Sequence, residues 1–268
     1  MLTPNRLKRQ LREGDRPLGL FASIPAPVTV EMIGQAGFDF VILDTEHSLV
    51  NPETLENMLR AAELAGLTAL VRVAAVDART VVPLLDAGAR GIVVANVETP
   101  ETLEALGEVL RFHPRGRRSM NSGRPGRFGG DDLVDYLARA NEAMMLVAMV
   151  ESRQGVDNIE ALLAVPGVDM VLEGAADLSQ SLGIPWQTEA PEVTEALDRV
   201  HAACRDAGVA YCAIPRSAGR LGHWHERGAD AYVLGDERGI AFRALQGRRQ
   251  EVVDGLGGPR HASGEGER

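Results

Sequence analysis

Short apolar runs alternate with amphipathic segments along nearly the whole 268-residue chain. The pattern predicts strands over 18–22, 40–43, 69–73, 91–94, 145–150, 170–172, 209–213 and 231–234. Between them, helical periodicity predicts helices over 28–36, 52–65, 79–87, 100–111, 156–164, 193–207, 218–227 and 239–246. The runs are continuously apolar rather than alternating, as strands of a parallel sheet covered on both faces are. Boundary chemistry agrees: Asn51-Pro52 places a capping side chain before a proline at a helix start, and Gly37, Gly66, Gly88, Gly208 and Gly228 stand where helices should stop.

Eight strand–helix units in one chain point to a closed (β/α)₈ TIM barrel. An open doubly wound sheet would be expected to carry a glycine-rich phosphate turn after its first strand. The turn after Leu20 instead reads FASIPAPVT. The first eleven residues form an extra amphipathic N-terminal helix through Leu7 and Leu11. A single barrel domain over 1–253 is therefore expected, followed by a glycine-rich, polar and disordered tail over 254–268. One connection, 112–132, is long and without periodicity, which in a compact domain marks a functional or disordered segment.

Composition narrows the function. The formal charge of -10 argues against nucleic acid or an anionic membrane as partner. No run reaches transmembrane length and the N-terminus has no apolar signal core, so a cytoplasmic location is expected. Cys204 and Cys212 fit no zinc spacing and read as buried, reduced thiols. The single lysine, Lys8, precedes every strand, which excludes a Schiff-base aldolase, and no G-x-S-x-G motif occurs.

Candidate chemistry gathers at the carboxyl ends of the strands, where barrels of this kind build their sites. FDFVILDTEH stops an apolar run at Asp44 and adds Glu46 and His47. Further strands deliver Arg72, Glu151, Glu173 with Asp177, Arg216, and Asp236, Glu237 and Arg238, while the opposite ends show no such concentration. Glu151 and Asp177 suit a hard divalent ion or, equally in kind, backbone and arginine partners. Arg72 could clamp a substrate carboxylate or pair internally with Asp44 or Glu46. His47 could be a general base or a structural loop histidine. Arg115, Arg117, Arg118, Arg124 and Arg127 could receive an anion or form a solvated basic loop. His223 and His225, two apart on a helix, share no face and read as structural or surface residues.

ILDTEH, LVRV, VAMVES and EGAADLS resemble the HpcH/HpaI family of metal-dependent (β/α)₈ aldolases acting on 2-oxo acids, over about residues 5 to 250. The longer stretches NPETLENMLRAAE, RSMNSGRPGRFG, LEGAADLSQSLGIPWQT and CAIPR are similar to its citrate-forming branch, which serves siderophore assembly. The resemblance implies a divalent metal, Mg²⁺ first and Mn²⁺ or Ca²⁺ as alternatives, on Glu151 and Asp177. It implies catalytic roles for His47, Arg72 and Asp44, with His47 the acid/base held by the acidic group around Asp44. It implies substrate contacts from Arg72, Gly174, Ala175, Ala176, Arg118, Ser119, Asn121 and Arg216. Oxaloacetate with acetyl-CoA is the implied substrate pair, pyruvate and an aldehyde being that of an ordinary aldolase. The second carboxylate of oxaloacetate needs its own cation, for which the long connection, Arg216 and Arg238 are candidates. CoA phosphates could use the loop arginines. A homo-oligomer, dimer or hexamer, built through C-terminal helices is implied as well. The chain departs from the family at Ala95-Asn96, where relatives commonly carry Val-Pro.

Overall fold

The computed structural model describes residues 2–256. The chain runs α1 (Arg6–Glu13), β1 (Leu18–Ala22), α2 (Pro27–Gln35), β2 (Phe40–Asp44), α3 (Pro52–Leu64), β3 (Thr68–Val73), α4 (Ala78–Ala87), β4 (Gly91–Val94) and α5 (Pro100–Leu110). It continues through α6 (Leu133–Ala143), β5 (Met145–Val150), α7 (Arg153–Asp157), α8 (Ile159–Leu163), β6 (Met170–Glu173), α9 (Ala175–Ser181) and α10 (Pro191–Ala207). The last elements are β7 (Ala210–Ala213), α11 (Ala218–Arg227), β8 (Ala231–Asp236) and α12 (Glu237–Gly255). The eight strands pair in parallel and in sequence order, and β1 pairs with β8 to close the barrel.

Side chains alternate along each strand. One set, including Phe40, Ile42, Leu70, Val93, Val147, Met149, Met170, Leu172 and Cys212, fills the barrel interior. The other, including Val41, Leu43, Val71, Ile92, Ala148, Val171 and Tyr211, packs outward under the helices. Both cysteines are buried free thiols, and burial pushes both up, Cys204 to about 12. Gly19 makes room for the interior: a Cβ there would lie 2.2 Å from the Phe40 ring. Helix α1 stoppers the amino end of the barrel. Its Leu7 is fully buried within the interior cluster, a burial worth roughly 2 kcal/mol.

Local signals act as their chemistry dictates. Asn51 caps α3, accepting from the Thr54 N–H at 2.9 Å, with Pro52 in the first turn. Gly208 and Gly228 end α10 and α11 at φ of 68° and 79°, a left-handed turn that a Cβ would strain.

The structure corrects the sequence reading in several places. The helix expected over 156–164 is two short helices, α7 and α8, broken at Asn158. Helices α6 and α9 were not foreseen. Helix α12 begins two residues before its expected start and continues to Gly255, so Asp254 and Gly255 are helical rather than tail. Residues 257–268, the rest of the expected tail, lie outside the described residues. No helix among the described residues is long and apolar enough to cross a membrane.

Candidate active site at the carboxyl end of the barrel

The alternation that fills the interior also fixes which strand-end residues face inward. Asp44 follows Ile42 by two, Arg72 follows Leu70, and Glu151 follows Met149. These three crown the interior of the barrel. Beside them opens a cavity of about 830 Å³ lined by Asp44 and Arg72 with Phe21, His47, Gly174–Asp177, Trp186, Arg216 and Arg243; Glu151 is not in its wall but abuts Gly174, which is.

Arg72 is the hub. Its Nε and Nη2 donate to Asp44 Oδ1 and Oδ2 at 3.0 and 2.8 Å. Its Cζ lies 4.6 Å from the centre of the Phe21 ring. Nη1 is 3.1 Å from Glu46 Oε2, a charge contact without hydrogen-bond alignment, since that oxygen has no hydrogen-bond partner. The internal ion pair is thus realised, and the clamping edge toward Asp44 is taken. Nη1 also donates to Met149 Sδ at 3.8 Å, so a substrate would share the guanidinium with Asp44, Glu46 and Met149.

Burial alone would raise the Asp44 carboxyl, but Arg72 and the N–H groups of His47 and Glu46 hold it below its ordinary value. Asp44 holds His47 through that backbone N–H at 3.3 Å, not through the ring. The His47 ring is instead 60% exposed at the cavity rim, with Nε2 3.8 Å from Glu46 Oε2. It is free to meet a substrate.

Glu151 is buried and accepts the Asn96 N–H at Oε1, 2.7 Å away. A proline at 96 could not make this bond. Burial pushes the Glu151 carboxyl up to about 7; the Asn96 bond opposes the rise, and the negative charges of Asp177 and Glu46 add to it. A buried carboxylate repelled by two others is an oxygen-only donor set awaiting positive charge, which fits a hard divalent ion. Among the described residues no group of three or more His, Cys, Asp or Glu forms a metal cluster. Glu151 and Asp177 would hold such an ion with substrate and water completing its shell.

Gly174 lies against this carboxylate. A Cβ there would fall 2.3 Å from Glu151 Cβ and 2.5 Å from Oε2. Gly174→Ala should therefore displace Glu151 and weaken divalent-ion binding about tenfold or more, read by calorimetry with Mn²⁺. An unchanged affinity would show that Glu151 has room to move.

Of the other strand-end candidates, Asp236 and Arg238 also line the cavity, whereas Glu173 and Glu237 do not. Glu173 follows Leu172 by one and so faces outward, fully enclosed. It accepts from Tyr211 Oη at 2.5 Å and the Ile214 N–H at 2.7 Å, and burial raises its carboxyl. Asp236 caps α12 through the Gly239 N–H. Glu237 accepts the Ser23 and Ile24 N–H groups and pins the loop after β1.

The structure also separates Arg118, Ser119 and Asn121 from the cavity, contrary to the expected substrate contacts. Their connection follows α5, so it returns to the amino ends of the strands. Arg118 and Asn121 both bond Asp86 of α4, at 2.7 and 2.9 Å, and Arg118 lines a different cavity beside Thr68, Ala89 and Met144. Ser119 is exposed. The five loop arginines are all neutralised locally: Arg115 by Glu142, Arg117 by Glu108, Arg118 by Asp86, Arg124 by Glu63 and Arg127 by Asp131. His223 pairs with Asp198 and His225 contacts Arg16, both away from the cavity.

Sequence reasoning missed Trp186 and Arg243. Trp186 follows a proline in the connection after β6, and a lone aromatic at a strand's carboxyl side was the only signal available. Arg243 lies on α12, whose extent was underestimated.

The closed parallel barrel carries an arginine, a rim histidine and several carboxylates at its carboxyl end, and the family it matches consists of enzymes that make or break carbon–carbon bonds. The chain belongs to the HpcH/HpaI aldolase/citrate lyase family, whose profile matches residues 17–243. It is similar to the citrate synthase SbnG, with 41% identity, a TM-score of 0.85, and 92% of this chain and 96% of that one covered. An HpcH/HpaI aldolase/citrate lyase family protein from Burkholderia cenocepacia J2315 aligns with 34% identity and a TM-score of 0.86, over 92% and 99% of the two chains. A hydroxypyruvate/pyruvate aldolase from Sagittula stellata is 33% identical over 93% of this chain and 98% of its own length.

Proposed function

We propose that this enzyme condenses oxaloacetate with acetyl-CoA to give citrate, destined for a citrate-based siderophore. The observation that carries the reading is the likeness to SbnG, whose 41% identity exceeds the 34% of the family protein from B. cenocepacia over the same 92% of this chain. The geometry supports it. Arg72 lines the cavity where a 2-oxo acid would present its carboxylate and ketone. The backbone of Gly174, Ala175 and Ala176 borders the same space. A divalent ion bound by Glu151 and Asp177 would supply Lewis acidity toward the ketone oxygen.

Arg72, immobilised by Asp44 and Phe21, orients the ketone and stabilises the negative charge that develops on its oxygen. His47 at the rim takes a proton from the acetyl methyl of acetyl-CoA. The resulting carbanion attacks the ketone carbon and the oxygen is protonated. Water then cleaves the thioester, releasing citrate and CoA. A homo-oligomer accompanies this reading: α12 has no buried residue, and Phe242 and Leu245 are 60% and 71% exposed, surface that a second copy would cover.

The likeness to the S. stellata aldolase favours a second reading, reversible cleavage of 4-hydroxy-2-oxo acids to pyruvate and an aldehyde. One assay separates them. Protein given oxaloacetate and acetyl-CoA should release free thiol and citrate in equal amounts. Pyruvate released from hydroxy-oxo acids, with no thiol from acetyl-CoA, would establish the aldolase instead.

A further inference from the structure

We propose that Trp186, Arg216, Arg238 and Arg243 form a recognition site for the phosphorylated adenine nucleotide of a CoA thioester on the outer wall of the cavity. This rests on the citrate-forming reading and specifies where its second substrate is held. Four observations lead there.

A tryptophan is displayed rather than buried: Trp186 is 75% exposed. Its backbone has φ of 66°, a conformation that costs a bulky residue energy and persists only where surroundings impose it. The imposing contact is visible. Ser179 Oγ accepts the Trp186 backbone N–H at 2.9 Å and donates to Ala176 O at 2.6 Å, tying the Trp186 backbone to the same turn that carries Asp177.

Arg216 sits with Cζ 5.4 Å from the indole centre, a cation–aromatic pair. Among the described residues, neither Arg216 nor Arg243 has a hydrogen-bond or ion-pair partner, and Arg238 has only Asp236 at 3.8 Å. The arginines of the long connection, by contrast, are all paired with carboxylates. Asp44, Asp177 and Asp236 line the same cavity, but none is paired with Arg216 or Arg243, which leaves these two cations for an anion.

Size gives the class. About 830 Å³ is the volume of a site for a drug-sized ligand, far more than a four-carbon diacid fills. Arg72 lines the same cavity and one further cation would suffice for the second carboxylate of oxaloacetate, so Arg216, Arg238 and Arg243 together exceed what a four-carbon diacid uses. An aromatic platform beside several arginines suits a base and its phosphates. The adenine would stack on Trp186, the phosphates would meet Arg216, Arg238 and Arg243, and the thioester would reach inward to His47.

Calorimetric titration of the full chain with CoA and, separately, with pantetheine tests this. CoA should bind at least tenfold more tightly than pantetheine, and the gap should close in Trp186→Ala and in Arg216→Gln/Arg243→Gln but persist largely in Trp186→Phe. Only two tryptophans are present and Trp224 is fully buried, so saturable quenching of the exposed emission by CoA should accompany binding. Equal binding of CoA and pantetheine by the wild type, or a gap unchanged in both variants, would overturn the site. Citrate formation with an unaltered acetyl-CoA KM in Trp186→Ala and Arg216→Gln/Arg243→Gln would overturn it and leave the proposed function standing. A tenfold gap that closes in the variants, without citrate formation, would keep the site and remove the citrate-forming reaction.

Discussion

Arg72→Lys should lower kcat/KM at least a hundredfold, about 3 kcal/mol of transition-state stabilisation. Lysine keeps the charge but not the fork. It cannot satisfy Asp44 Oδ1 and Oδ2 at 3.0 and 2.8 Å while also presenting donors to the cavity. Asp44 is buried, so a poorly paired carboxylate there also costs stability. The pH dependence identifies that cost. The folded-state pKa of Asp44 lies below its ordinary 3.8, so the stabilisation from this pair is present above that value and lost as pH falls through the folded pKa. Wild type and variant should therefore differ most in melting temperature at neutral pH and converge in acid. A variant with wild-type kcat/KM would remove Arg72 from the site.

Glu151→Gln should abolish most divalent-ion binding and erase its pH dependence. In the wild type a proton competes with the ion for a carboxyl pushed up to about 7. Affinity for Mn²⁺ or Mg²⁺ should thus be about tenfold weaker at pH 6 than on the plateau above about pH 8. The metal-free protein gives the opposite signature. Because the folded pKa of Glu151 is raised from 4.5, folding is favoured while the group is protonated, and that advantage disappears as pH rises from 4.5 through 7. Metal-free Glu151→Gln should match the wild type near pH 4.5 and be the more stable at pH 8, by on the order of 3 kcal/mol. Calorimetry with Mn²⁺ and thermal melts at the two pH values check both. Wild-type ion affinity in the variant would take Glu151 out of the ligand set.

Much of this arrangement was legible in the chain. Apolar runs ended at Asp44, Arg72 and Glu151, and a parallel barrel puts its site at those ends. The period of two, carried one residue further, also tells inward from outward. It sends Glu151 in after Met149 and Glu173 out after Leu172, a distinction lost when strand ends are read as undifferentiated clusters. The long connection was misplaced for a topological reason. A segment between a helix and the next strand lies at the strand amino ends whatever its charge, so Arg118 and Asn121 go to Asp86. Trp186 was unreadable because its exposure depends on a backbone turn held by Ser179, and no hydrophobic period announces that. The Asn96–Glu151 bond was hidden likewise: a backbone donor leaves no mark in composition, and only the missing proline hinted at it.

The stopper at the amino end of the barrel has a consequence for biosynthesis. Asn5 donates to Ala143 O at 2.7 Å and to Arg90 O at 3.1 Å, and Lys8 pairs with Asp169 at 2.9 Å. Helix α1 leaves the ribosome well before any of these partners. Ala143 lies 138 residues downstream of Asn5, a delay on the order of ten seconds at ordinary elongation rates. Leu7 has no interior to enter until the later strands are in place. A helix translated before every strand of the barrel is thus among the last to dock, and its docking reports that the ring of strands behind it is complete.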